Sequence, residues 1–247
     1  MQKWMETRSE RLAAFFGRPL DTMWITDKAV MPEISSETEQ HLGRLNFEWH
    51  IIPTNETMPL NEAYYDRLYR LRPPYFSSGR SHSKSIRSMF EAGHARHQGQ
   101  IIAVETTMKP TYLPGNHQAY GTQYGFDSTT DPLREYLNHG TRYAHNYTSL
   151  RNLGESVNQD LRSRNLLPKG YRLTLCPPVV FNLIGNVFHP EWSKTESLEL
   201  GFYRDDHGNA TCYAMGSNEP GDFSYAHEVE THAEWTHLGF RTALLPE

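Results

Sequence analysis

From Gly170 onward the chain is a succession of short β-branched or aromatic runs, each soon broken by Pro, Gly or Asp. YRLTL, VVFNLIGNVF, SLELGFYR, NATCYAMG, DFSYAHEV and LGFRTALL are the runs, and such punctuation predicts strands. Arg204-Asp205-Asp206-His207-Gly208-Asn209 reads as a hairpin turn between two of them. The first part of the chain has a different character. Trp4, Met5, Leu12, Ala13, Phe15 and Phe16 supply the buried stripe of a helix over residues 4–16. Ser35 or Ser36 caps a second helix through Leu45 that ends near Asn46. Asn61 opens a third, which stops before Pro73-Pro74, and residues 82–98 read as a fourth. Gln100 to Thr107 is a strand, Asp131-Pro132 starts a short helix to Leu137, and a longer helix runs from about Tyr147 to Asn165.

This order implies an α+β fold, with N-terminal helices followed by a largely antiparallel C-terminal β-sheet. One domain over residues 1–247 is expected, because no clean linker interrupts the chain. Its helical part covers about 1–99, a long aromatic loop 109–132, a helix about 147–165 and the sheet about 170–247. Apolar residues make up only 37%, but aromatics reach 12%, and each aromatic ring buries a large area. Disorder is therefore not expected.

The densest concentration of chemistry lies near the C-terminus. Three histidines and three glutamates fall between His227 and His237. The histidines of HEVETH stand five apart, which does not fit the zinc helix HExxH. Read as a strand, His227 shares a face with Phe223, Tyr225 and Val229; read as a helix, Glu230, Glu234 and His237 form a stripe. Glu234-x-x-His237 and Glu91-x-x-His94 have the spacing of carboxylate-bridged di-iron bundles, but the proline-rich middle of the chain does not suit such a bundle.

His189-Pro190-Glu191 is an H-x-E run, and His232-Ala233-Glu234 is another. A two-histidine, one-carboxylate face needs such a run plus a distal histidine, which His227 or His232 supplies. Arg241, on the next predicted strand, is placed to hold an anionic cosubstrate by a bidentate pair. In the order H-x-E, His, Arg the chain resembles 2-oxoglutarate-dependent oxygenases, over those residues alone. The resemblance implies a divalent metal, Fe(II) or Zn, on His189, Glu191 and His227, with Arg241 binding the cosubstrate. Tyr203, Tyr225 and Trp235 would line the cleft. A polar turn at 189–191, and an Arg241 paired with a glutamate of the chain, account for the same residues without a metal.

Other classes are weaker. Cys176 is followed by two prolines, unlike the helix N-terminus that activates a nucleophilic thiol. His117 sits in a Pro-Gly-Asn-His-Gln turn, and Glu228-Val229-Glu230 matches the E-x-E of ADP-ribosyl transfer by two residues only. Phosphate-loop, dinucleotide-binding, nucleophile-elbow and zinc-finger spacings are absent. Residues 80–97 carry Arg80, His82, Lys84, Arg87, His94, Arg96 and His97 among serines, a phosphate or nucleic-acid patch or else a solvated face. The net charge of -5 gives no global footprint for nucleic acid.

Two cysteines, Cys176 and Cys212, fit a reducing compartment. The charged N-terminus does not read as a secretory leader, and no apolar run approaches the roughly 18 residues of a membrane span, so a cytoplasmic location is expected. The alternative to a metal-dependent enzyme is a non-catalytic structural or assembly subunit of a larger particle. In that reading the 109–132 segment is an interaction arm, and the partners are copies of the chain or other protein subunits.

Overall fold

The computed structural model describes residues 2–16, 30–54, 98–107, 131–137, 142, 145–190, 192, 198–204, 210–216, 225–234 and 238–247. The expected helix at 61–72, that at 82–98 apart from Gln98 (which begins a strand), the basic run 80–97, His117 and all but the last two residues of the 109–132 arm lie outside them.

The fold is α+β, with helices toward the N-terminus and antiparallel sheets later in the chain. In chain order the described elements are α1 (Gln2–Phe16), α2 (Ser36–Arg44), β1 (Phe47–Thr54), β2 (Gln98–Glu105), a 3-10 turn (Arg134–Tyr136), α3 (Tyr147–Ser163), β3 (Tyr171–Leu175), α4 (Pro178–Val187), β4 (Leu198–Arg204), β5 (Ala210–Gly216), β6 (Tyr225–Val229), β7 (Leu238–Phe240) and β8 (Thr242–Pro246). None of the described helices is long and apolar enough to cross a membrane.

Caps set the helix ends. The Ser35 hydroxyl accepts from the Thr38 amide at 3.0 Å and opens α2. Asn146 and Ser149 exchange side-chain-to-backbone bonds, a capping box that opens α3. Both helices are followed by an asparagine in the left-handed region, Asn46 at φ 58° and Asn165 at φ 55°, where a short polar side chain is tolerated.

Two four-stranded sheets follow, ordered β1-β2-β8-β3 and β6-β5-β4-β7. All their pairings are antiparallel except β4 with β7. Both faces of β2 are covered, so Ile101 to Val104 are apolar throughout rather than alternating. On β2, Ile102 and Val104 pack with Ile52, Tyr213, Met215 and the α4 residues Val180, Phe181 and Ile184. Ala103, on the opposite face, joins Leu173, Leu244 and the α3 residues Leu150, Leu153, Val157 and Leu161.

Two expected strands take other forms. VVFNLIGNVF is not a strand: residues 178–187 form α4, with Pro178 in the first turn, where a proline lacks no bond that a helix needs. An apolar run of ten has no period that separates a buried strand from a buried helix, and its length favours the helix. LGFRTALL is two strands: β7 pairs with β4 in one sheet, β8 pairs with β2 and β3 in the other, and Arg241 is the residue between them. Residues 47–54 form β1, a strand to which the sequence patterns above assign no element. The helical alternative for the C-terminal cluster also fails where described, since Tyr225–Val229 is a strand and residues 230–234 are turn and coil.

Packing is tight where β4 passes β3. A Cβ added at Gly201 would meet the Cys176 carbonyl oxygen at 2.7 Å and the Met215 sulfur at 2.5 Å. The backbone carbonyl cannot move aside as a side chain can. Gly201→Ala is expected to cost about 1–3 kcal/mol of stability, seen as a lower midpoint in urea with an unchanged slope.

Candidate metal centre

Strand alternation places Glu48, His50 and Ile52 on one face of β1. They lie opposite Val104, Ile102 and Gln100 of β2. Ile52, Ile102 and Val104 belong to the core under α4, so Glu48 and His50 face α4 as well. Immediately beyond α4, the His189 amide bonds back to the Ile184 carbonyl at 3.0 Å, and the Trp192 amide bonds to the His189 carbonyl at 3.0 Å. That turn brings the His189 ring to β1. Glu48, His50 and His189 each present one donor atom, and the three atoms lie within 4.8 Å of one another.

The members are held differently. His189 stacks on Trp192 with ring centres 4.8 Å apart and planes 11° apart, and its Nε2 is 3.2 Å from Glu48 Oε2. The other Glu48 oxygen pairs with the Arg8 guanidinium of α1. His50 is fully buried, 4.9 Å from the centre of the Phe188 ring, and neither of its ring nitrogens has a hydrogen-bond partner among the described residues. Burial first, and then the charges of Arg8, His189 and Arg11, hold the His50 pKa well below the usual imidazole value. His50 is therefore neutral at pH 7, the form in which an imidazole binds a metal.

A divalent ion binds imidazole nitrogen and carboxylate oxygen at about 2.0–2.2 Å, which sets adjacent donor atoms about 3 Å apart. The Glu48–His189 pair stands near that spacing at 3.2 Å, with the His50 donor atom within 4.8 Å of both. The centre also lies at the C-terminal end of α4, where the helix dipole favours positive charge.

Of the residues singled out from the sequence, His189 is part of this group. Glu191 lies outside the described residues, as do the side chains of His227, Tyr203 and Tyr225 and the whole of Trp235 and His237. The His227 backbone, on β6, pairs with Ala214 of β5, in the other sheet from β1. The group found here thus joins the first sheet to the end of α4.

Arg241 is buried and committed to the fold. Its Nε and Nη2 donate to the two Glu199 oxygens at 3.0 and 2.9 Å, and its Nη1 donates to the Glu105 and Thr107 carbonyls at 2.6 and 2.9 Å. The carboxylate in its fork is the chain's own Glu199. The two cysteines are unbridged and buried, and burial pushes both thiols up, Cys212 to about 11, so neither is an activated nucleophile.

Glu48 and His50 carried one signal in the sequence, an E-x-H spacing inside FEWHII, where alternation puts both side chains on one face. Comparisons of the chain with protein-family models, with curated proteins and with solved structures each find no match.

Proposed function

We propose that this chain is a metal-dependent enzyme in which Glu48, His50 and His189 hold one divalent ion in a two-histidine, one-carboxylate arrangement. The observation that carries this reading is His50. A buried imidazole with no partner on either nitrogen costs about 1–3 kcal/mol, and a metal bond is what such a group, next to a second imidazole and a carboxylate, can make. Two imidazoles and a carboxylate suit Fe(II) or Zn(II). Three protein ligands leave positions open, as a working centre needs and a closed structural site does not.

The ion, when bound, would supply Lewis acidity to a water or carbonyl oxygen or, as Fe(II), a position for oxygen chemistry of the non-haem kind. The chain's own residues fix the geometry. Trp192 sets the plane of the His189 ring by stacking, Phe188 packs on His50, and Arg8 orients Glu48.

The test is elemental analysis of purified, tag-free protein, wild type beside His189→Ala. About one iron, zinc or manganese per chain is expected in the wild type and a loss of it in the variant. A wild type that stays empty after anaerobic reconstitution with Fe(II), and separately with Zn(II), would sink the reading.

A further inference from the structure

We propose that the ion held by Glu48, His50 and His189 is bound together with an oxyanion, a carboxylate or phosphate group of the substrate, which the Arg8 guanidinium grips once the ion has taken Glu48. This rests on the metal centre proposed above and assigns its substrate class.

Arg8 pairs with one oxygen of Glu48, and the other oxygen faces His189. Arg11 lies on the same helix, its guanidinium carbon 5.2 Å from the centre of the Phe188 ring over which the Arg8 carbon stands at 4.8 Å. Arg8 and Arg11 thus stand over one ring, and Arg8 pairs with Glu48 before any ion arrives.

A divalent ion adds two positive charges and draws on the very carboxylate that neutralises Arg8. The Arg8 side chain is only 13% exposed, so water cannot fully replace that partner. Unbalanced charge of one sign in a poorly solvated site is strongly unfavourable, and an anion that bridges the ion and Arg8 removes the imbalance. A guanidinium presents two parallel N–H donors to a carboxylate or phosphate, and the open positions left by three protein ligands admit an oxygen of the same group. Arg11, at the exposed end of the pair, adds attraction for an approaching anion.

The experiment measures Mn(II) affinity by calorimetry in chloride buffer, in the same buffer with succinate and in the same buffer with phosphate. Wild type and Arg8→Met are compared. For the wild type, Mn(II) should bind about tenfold or more tightly with at least one of the two oxyanions, the size of an ordinary coupling between sites. Succinate alone would assign a carboxylate substrate, and phosphate alone a phosphorylated one. In Arg8→Met the dependence on oxyanion should vanish, the affinity in each buffer being compared with that variant's own affinity in chloride. Should Arg8→Met fail to fold, Arg8→Lys takes its place; it keeps the charge without the fork, and the coupling should shrink. Equal wild-type affinity in all three buffers overturns the inference and leaves the metal centre standing, as does coupling undiminished in either variant. No Mn(II) binding in any buffer overturns both.

Discussion

Arg241→Met is expected to lower the unfolding free energy by about 3–5 kcal/mol, measured by chemical denaturation, a large share of what holds a domain folded. The loss follows from what the side chain joins. Arg241 sits where the chain leaves one sheet and enters the other. It grips Glu199 on β4 of the first, accepts through its own carbonyl from the Cys176 amide, and donates to carbonyls at the end of β2 in the second. It also lies 3.9 Å from the centre of the Trp192 ring. Methionine would fill much of the space but leave the Glu199 carboxylate buried and unpaired, at 1% exposure. The double variant Arg241→Met/Glu199→Gln should recover part of the loss, since no buried charge then stands alone. A single variant as stable as the wild type would refute the cross-tie.

The same network predicts acid sensitivity. Burial alone would raise the pKa of Glu105; Arg142 beside it, by charge and hydrogen bond, then Arg241 and the Thr242 hydroxyl outweigh burial and hold the carboxyl below its ordinary value of 4.5. A carboxyl with a depressed folded pKa stabilises above its unfolded value, and that stabilisation is lost as pH falls through the folded value. Stability should therefore fall below about pH 4.5, and less steeply in Arg241→Met, in which one of the cations that depress the folded value is gone.

His50→Leu is expected to abolish metal binding and, with chelator present, to raise stability by about 1–3 kcal/mol. These opposite effects follow from one feature. In the absence of an ion the imidazole contributes two unpartnered polar nitrogens to an apolar setting formed by Phe188, Ile52 and Ile102, and leucine fills a similar volume without them. A residue that costs stability in the metal-free fold is what a binding site commonly contains. Elemental analysis and urea denaturation read the two effects separately. Metal retained in the variant would show that His50 is not a ligand, and reduced stability would show that its nitrogens are satisfied in solution.

Several elements were legible because their determinants are local. Ser35 and Asn146 mark helix starts by what their side chains do for the next turn, and Asn46 and Asn165 mark the ends. The runs at β3, β5 and β8 carry enough β-branched or aromatic character to be read as strands. The misread segments are those in which local pattern is silent. Residues 179–188 are apolar but for Asn182, Gly185 and Asn186, and α4 packs with α1 and with strands of both sheets, so no local period separates helix from strand. LGFRTALL looks like one strand because nothing in its composition records that its halves pair in different sheets.

The site divides along the same line. That Glu48 and His50 share a face depends only on the two-residue repeat of a strand, so it was present in the sequence once β1 is recognised. That His189 joins them, and that Arg241 is turned inward onto Glu199, was not. Both depend on strand pairings such as Ala103↔Leu244 and Leu173↔Leu244 and on the turn after α4, contacts between residues far apart in the chain. The sequence by itself determined the α+β order and the helix ends, because caps, turns and periodicity act between neighbours. The tertiary structure decided which polar side chains meet, because buried charges and imidazoles settle where long-range packing leaves them a partner, and no local pattern names that partner in advance.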